Sequence, residues 1–271
     1  MPTTRSPYDL RMSASGGNKA IIAAFLANMG IAIAKFIAWG ISGSASMLAE
    51  AVHSVADSGN QLLLLLGGRK AKRMADSDHP FGYGRERYVY AFVVSIILFS
   101  IGGVFSIYEG VNKLTHPHML TNWWIPVGVL VIAIVLESFS LRTAVRESNH
   151  VRLPGQSWVS FVRHSKAPEL PVVLLEDVGA LVGLCFALFG VGMTVLTGNP
   201  LFDALGTLMI GVLLVAIAII LGIETKSLLV GEGASEADHR AIVAAIDSGP
   251  EIEKIIHSKT RYLGPDELLV A

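Results

Sequence analysis

The sequence predicts an all-α membrane protein: a six-transmembrane-helix bundle followed by a small, truncated cytoplasmic α+β domain. Three observations predict it. Long apolar runs recur through most of the chain. Only 16% of the 271 residues are charged and 52% are hydrophobic, with a mean hydropathy of +0.56; a soluble domain carries about a quarter charged residues. The basic residues also fall into alternate loops, as they do in a chain threaded through a bilayer.

Each element follows in turn. Residues 1–19 are polar, lack the cleavage pattern of a signal peptide, and read as a cytoplasmic tail. Six runs, near 20–41, 45–68, 88–112, 122–142, 170–197 and 201–223, are each long enough to cross hydrocarbon, which takes roughly 20 helical residues. A membrane barrel would instead show alternating strands of about 10 residues. The link after the second run carries Arg69, Lys70, Lys72, Arg73, Arg85 and Arg87, and the link after the fourth carries Arg146, Arg152, Arg163 and Lys166. The other links hold no positive charge except Lys113 at a helix end. Both termini are therefore expected to be cytoplasmic.

Residues 224–271 turn polar and read as a partial cytoplasmic α/β domain. In SEADHRAIVAAI, Ser235 can cap a helix, with Asp238 three residues later completing a capping box. EIEKIIHSKTRYLG and PDELLVA read as two strands around a Gly-Pro turn. So short a domain is marginal alone, and the chain stops inside an apolar run, so the domain is expected to be incomplete here. The formal net charge of −1 offers no basic field, so no nucleic-acid partner is expected. The single cysteine, Cys185, makes no CxxC motif and reads as a small core residue.

The informative stretch is AEAVHSVADSG in the second run. Glu50, His53 and Asp57 are spaced i, i+3, i+7 and share one helix face, which Ser46 and Gln61 extend. Ionisable groups inside a membrane helix are expensive, and they face protein or a water-filled path. His53 and Asp57, one turn apart, can hold one divalent ion between a nitrogen and an oxygen. One helix cannot complete a tetrahedron. Glu176 and Asp177 in the fifth run are a second pair of acids, and their expected depths agree: Asp57 roughly 16 Å and Asp177 roughly 10 Å from the cytoplasmic end. Glu176 and Asp177 point about 100° apart, so both are not expected to face one ion squarely. Glu50 reads as an entry or supporting residue nearer the outer mouth. Asn28 and Lys35 share a face of the first run; Lys35 could neutralise a carboxylate, but snorkelling to the outer surface is the preferred reading.

These residues bring a family into view. SGSASMLAEAVHSVADSGNQ, followed by DSDHPFGYGRERY in the next cytoplasmic link, resembles the cation diffusion facilitator family of divalent-metal transporters, and the resemblance covers nearly the whole chain from about residue 18. It implies a six-helix bundle with a small cytoplasmic domain, a homodimer, and in each protomer a membrane-embedded site built from the second and fifth helices. Carried over, the ligands are His53, Asp57 and Asp177. Val173 stands where zinc-transporting members usually have histidine, and Glu176 stands nearby in an LLED run that resembles a branch containing a mitochondrial zinc transporter of animals. Water or Glu176 could complete the shell, and an oxygen-richer shell would better tolerate manganese or iron. Some members carry a second metal site in the loop before the third helix. Asp76 and His79 match two of its ligands, with Tyr83 in place of a third, so a weak site or none is expected. His257 matches part of a cytoplasmic site that this chain cannot complete. Arg85 is placed to form an ion pair with Glu232. His116 and His118 read as an exposed outer loop.

The expected function is export of a divalent cation, zinc first, against inward protons by alternating access. An imidazole ordinarily titrates near about 6.5, so metal and proton can compete at His53. Expected partners are the cation, protons, lipid and a second copy of the chain, with no tightly bound cofactor and no enzyme activity: HExxH and GxSxG are absent. The plasma (inner) membrane is the expected location. The alternatives are a manganese or iron transporter, or a non-transporting scaffold or metal-dependent regulator on the same fold.

Overall fold

In the computed structural model, backbone is described for residues 14–271 and side chains from Asn28 onward. The expected tail up to residue 13 and the first side chains of the first run lie outside the described residues. The helices are α1 (Ala14–Ser42), α2 (Ala45–Lys70), α3 (Glu86–Ile97), α4 (Phe105–Thr115), α5 (Trp124–Val151), α6 (Trp158–His164), α7 (Glu169–Thr197), α8 (Leu201–Val230) and α9 (Glu236–Asp247). A π-helical segment, Leu98–Val104, joins α3 to α4 in one continuous rod.

Four helical stretches are long and apolar enough to cross a membrane: Glu86–Thr115, Trp124–Val151, Glu169–Thr197 and Leu201–Val230. α2, at 26 residues, is nearly as long, but its polar stripe lowers its hydropathy. In α1 the apolar stretch within the described side chains is Asn28–Ser42. The helices run past their expected ends. α5 continues to Val151 and α8 to Val230, because no breaker occurs earlier; α8 stops at Gly231, whose φ of 113° closes the chain out of the helix. α6 is a short helix in the link before α7 that hydropathy did not signal. Ser157 caps it by accepting from Ser160 N.

The core gathers along the α2, α7 and α8 interfaces, around Met47, Leu98, Leu130, Leu184, Ile210 and Leu214. α7 and α8 approach closely where both lack side chains. A Cβ on Gly190 would stand 2.9 Å from Phe202 O, and one on Gly206 2.8 Å from Phe186 O. Outward faces remain apolar, with Ile37, Ile132, Phe139, Val212 and Ile223 all more than half exposed. Helices apolar on both faces belong in lipid. Cys185 corrects its expected place: it is exposed on the outward side of α7 rather than packed in the core.

α2 is pinned at its N-terminus. Ser44 caps it by accepting from Met47 N, and Asp203 of α8 accepts from Ser44 Oγ (2.8 Å) and Ala45 N (2.8 Å). An acid at a helix N-terminus satisfies orphan amides and meets the positive end of the dipole. Ser46, expected to extend the functional stripe, instead bonds Asp203 O and Thr207.

The C-terminal part holds α9, capped by Ser235 as expected through Asp238 N (3.1 Å), and an antiparallel pair, β1 (Thr260–Gly264) with β2 (Glu267–Val270). The first expected strand is shorter than read: residues 251–259 form no regular element.

Candidate metal centre

α2 turns its stripe inward. Glu50 and His53 are fully buried, and Asp57 exposes only 16% of its side chain. His53 Nε2 lies 3.4 Å from Asp57 Oδ2, and neither ring nitrogen has a hydrogen-bond partner. The π-helical segment packs on the ring: a Cβ on Gly102 would stand 3.8 Å from His53 Nδ1. Such π turns concentrate at functional sites.

α7 brings the second pair. Glu176 Oε1 accepts from Asn60 Nδ2 at 2.7 Å, and Asp177 Oδ2 accepts from Ser140 Oγ at 3.0 Å. Asp57, Glu176 and Asp177 line one polar pocket with Lys35, Gln61 and Glu137. The two α7 acids are thus on one pocket wall but are held by different neighbours, as their angular separation implied. Among the described residues, no three His, Cys, Asp or Glu side chains stand close enough to hold one ion together. Glu176 and Asp177 are instead tied to Asn60 and Ser140.

Three side chains here escaped the sequence reading, and a fourth was misread. Asn60 lies three residues after Asp57 and seven after His53, so the same helical arithmetic would have found it. Glu137 is an acid inside an apolar span, and Ser140 follows it by three on the same face; a search for single acids would have found Glu137. Lys35 corrects the snorkelling reading. It is 3% exposed, and its Nζ donates to Glu50 Oε2 (2.9 Å) and to Ser54 Oγ (2.7 Å). Glu50 therefore faces Lys35 rather than the outer mouth. It sits tight against α7, where a Cβ on Gly183 would meet Glu50 Oε1 at 2.7 Å.

The Asp76 loop is tied by hydrogen bonds of its own. Asp76 Oδ1 accepts from His79 N (2.8 Å) and Asp78 N (3.1 Å), while Tyr83 OH donates to Asp76 Oδ2 (2.7 Å). The tyrosine that replaces a third ligand thus closes the loop on the acid. Its hydrogen bond, with the backbone bond from His79 next, holds Asp76 below its usual 3.8, and the same bond raises Tyr83. The expected Arg85–Glu232 pair is not made: Glu232 bonds Lys166, and Arg85 Nε is buried without a partner. Burial would raise Glu232, but the Lys166 contact outweighs it and its carboxyl stays below the usual range. Lys166 reaches Glu232 because α6 turns the chain back toward the end of α8. The glycine of GYGRER has its own role. A Cβ on Gly84 would stand 2.7 Å from Leu263 O, so this loop packs directly on β1. His257 is exposed, and His118 Nδ1 contacts His116 O in the loop before α5.

Residues 21–230 match the cation efflux transmembrane domain. The chain belongs to the cation efflux family, the cation diffusion facilitators. Within it, the chain is 33% identical over 250 residues to the human "Proton-coupled zinc antiporter SLC30A9, mitochondrial", covering 92% of this chain and 44% of that protein. The Xenopus laevis antiporter of that name gives 34% over 254 residues, covering 93% and 45%. The "Cation-efflux pump FieF" of Pectobacterium atrosepticum gives 27% over 246 residues, covering 88% of this chain and 74% of the pump. The chain spans less than half the length of the zinc antiporters it matches. Every residue lining the polar pocket falls within the cation efflux domain.

Proposed function

We propose that this chain is a divalent-cation exporter, with zinc as the first substrate, driven by protons moving inward. The observation that carries the reading is the pocket among α1, α2, α5 and α7, which Asp57, Glu137, Glu176 and Asp177 line, with His53 Nε2 3.4 Å from Asp57 Oδ2. Acids inside a bilayer cost roughly 2.5–3.5 kcal/mol each on insertion scales unless a cation compensates them. The family membership and the zinc antiporters among its relatives support the substrate and the proton.

In this reading six helices span the membrane, residues 20–223 of the expected division extended to the end of α8. Both termini are cytoplasmic, residues 224–271 form part of a cytoplasmic domain, and two copies assemble. The membrane is the plasma (inner) membrane; the vertebrate relatives bear a mitochondrial name. His53, Asp57 and Asp177 bind the cation when the pocket opens to the cytoplasm, and Glu176 or water completes the shell. Rocking of the bundle exposes the ion outward. Protons arriving at His53 and Asp57 displace it, since a protonated ligand cannot coordinate.

The test is zinc uptake into inside-out vesicles with an imposed pH gradient. Uptake that collapses with the gradient, and is lost in His53→Ala and in Asp57→Ala, is the expected result. Near-normal uptake by Asp57→Ala defeats the site. A second reading rests on the separate tethers of Glu176 and Asp177: a metal-dependent regulator would bind zinc and move none. An oxygen-rich ligand set favours manganese or iron as competing cargo, which a competition series resolves.

A further inference from the structure

Lys35 is the one lysine among the described residues that lines the polar pocket. Its ammonium is buried, tied to Glu50 and Ser54, and Ser54 also lines the pocket. Glu50 does not: its carboxylate lies behind, against Gly183 of α7. A cation in the pocket therefore meets the positive end of this pair first. The pair has a vector, plus at the pocket and minus toward Gly183, which does not line it, and burial leaves its field poorly screened.

We propose that Lys35 is a tethered counter-cation that deliberately weakens the pocket's hold on its metal and speeds release. The inference rests on the transport reading above. Four acids around one buried pocket would otherwise trap a divalent ion, and a carrier that cannot release its cargo cannot turn over. A fixed positive charge on the wall lowers affinity without taking up a coordination position. Glu50 and Ser54 are positioning residues: they hold the ammonium back from the carboxylates, so it repels the metal instead of replacing it. A purely structural role for the pair predicts the opposite sign, since loss of the lysine would then loosen α1 and α2 and weaken binding.

The experiment measures zinc affinity of the purified full chain in micelles by competition with a fluorescent zinc indicator, alongside vesicle flux. Lys35→Gln is expected to bind zinc at least tenfold more tightly, with KM and maximal rate both falling. Lys35→Arg, which keeps the charge, is expected to stay within threefold of the unsubstituted protein. If Lys35→Gln fails to fold because Glu50 is left unpaired, Lys35→Gln with Glu50→Gln keeps a neutral hydrogen-bonded pair and is expected to tighten binding severalfold. A folded variant of either kind that binds zinc equally or more weakly overturns the inference while leaving the transport reading intact. Absence of saturable zinc binding by the unsubstituted protein overturns both.

Discussion

Two buried acid clusters lie along α2, and they are finished differently. At its N-terminus Asp203 uses both carboxylate oxygens: Ser44 Oγ and Ser46 N on one, Ala45 N on the other, with Lys113 Nζ 4.0 Å away. In mid-helix the polar atoms are left over. Glu50 Oε1, both His53 nitrogens, Asp57 Oδ1 and Asn60 Oδ1 are buried with no hydrogen-bond partner. Buried polar groups in folded proteins are nearly always satisfied, because each orphan costs roughly 1–3 kcal/mol. The Asp203 cluster is therefore a clamp whose partners all come from the chain. The mid-helix atoms have no such partners among the described residues, and of these side chains Asp57 is the one that lines the pocket.

The largest effects should separate the two clusters along different axes. Asp57→Ala is expected to cut zinc flux at least about 100-fold, since loss of even an outer partner of a metal ligand costs about 10–100-fold. Thermal unfolding in detergent should show no loss of stability, because an incompletely paired buried acid is removed. Asp203→Ala is expected to do the reverse. It strips the α2 terminus of its acceptor and leaves the buried Lys113 bonded to Gly43 O without its ion-pair partner, costing about 3–5 kcal/mol, while flux per folded molecule changes little. Equal stability losses in the two variants would erase the distinction between clamp and pocket.

A smaller effect would sharpen the pocket's outline. Glu137→Gln removes an acid that lines the wall without touching His53, and a flux loss of about tenfold, or about 1.4 kcal/mol of lost stabilisation, is expected. An unchanged flux would leave Glu137 as a bystander. Val173→His tests the other side. It restores an imidazole one turn before Asp177, and softer nitrogen donors favour zinc over manganese. The ratio of zinc to manganese transport should rise about tenfold.

The same contrast explains what the sequence made legible. Helix existence, the stripe of Glu50, His53 and Asp57, and the Ser235 cap depend on period and hydropathy, which are local. Asn60 was equally legible by that arithmetic. Lys35 was misread because snorkelling is a rule about one helix, whereas its actual partner, Glu50, stands on another. Arg85 and Lys166 are both basic and both in links between long helices; which one meets Glu232 depends on how α6 turns the chain. The π-helical segment leaves no trace in an apolar run, because hydropathy there does not depend on the hydrogen-bonding pattern. Ser46 kept its place on the predicted face but joined the clamp, because Asp203 comes from a helix more than a hundred residues later.

The smallest expected effect lies outside the membrane, where the Asp76 loop resembles the clamp rather than the pocket. Tyr83 and the His79 and Asp78 amides all serve Asp76 from within the loop. If this is local structure, Tyr83→Phe should alter zinc flux by less than about twofold, as surface changes away from a site usually do. Asp76 has a folded pKa depressed below its usual 3.8. Its contribution to loop order is therefore fully present above the unfolded value and is lost as pH falls through the lower, folded one. Limited proteolysis of the loop between α2 and α3 should accordingly stay constant from neutral pH down to about pH 4 and rise only below it. In Tyr83→Phe, which removes the largest depressing contact, that rise should begin at higher pH. A zinc-dependent protection of this loop at neutral pH would instead make Asp76 and His79 ligands, and would move the loop from the clamp's side of the comparison to the pocket's.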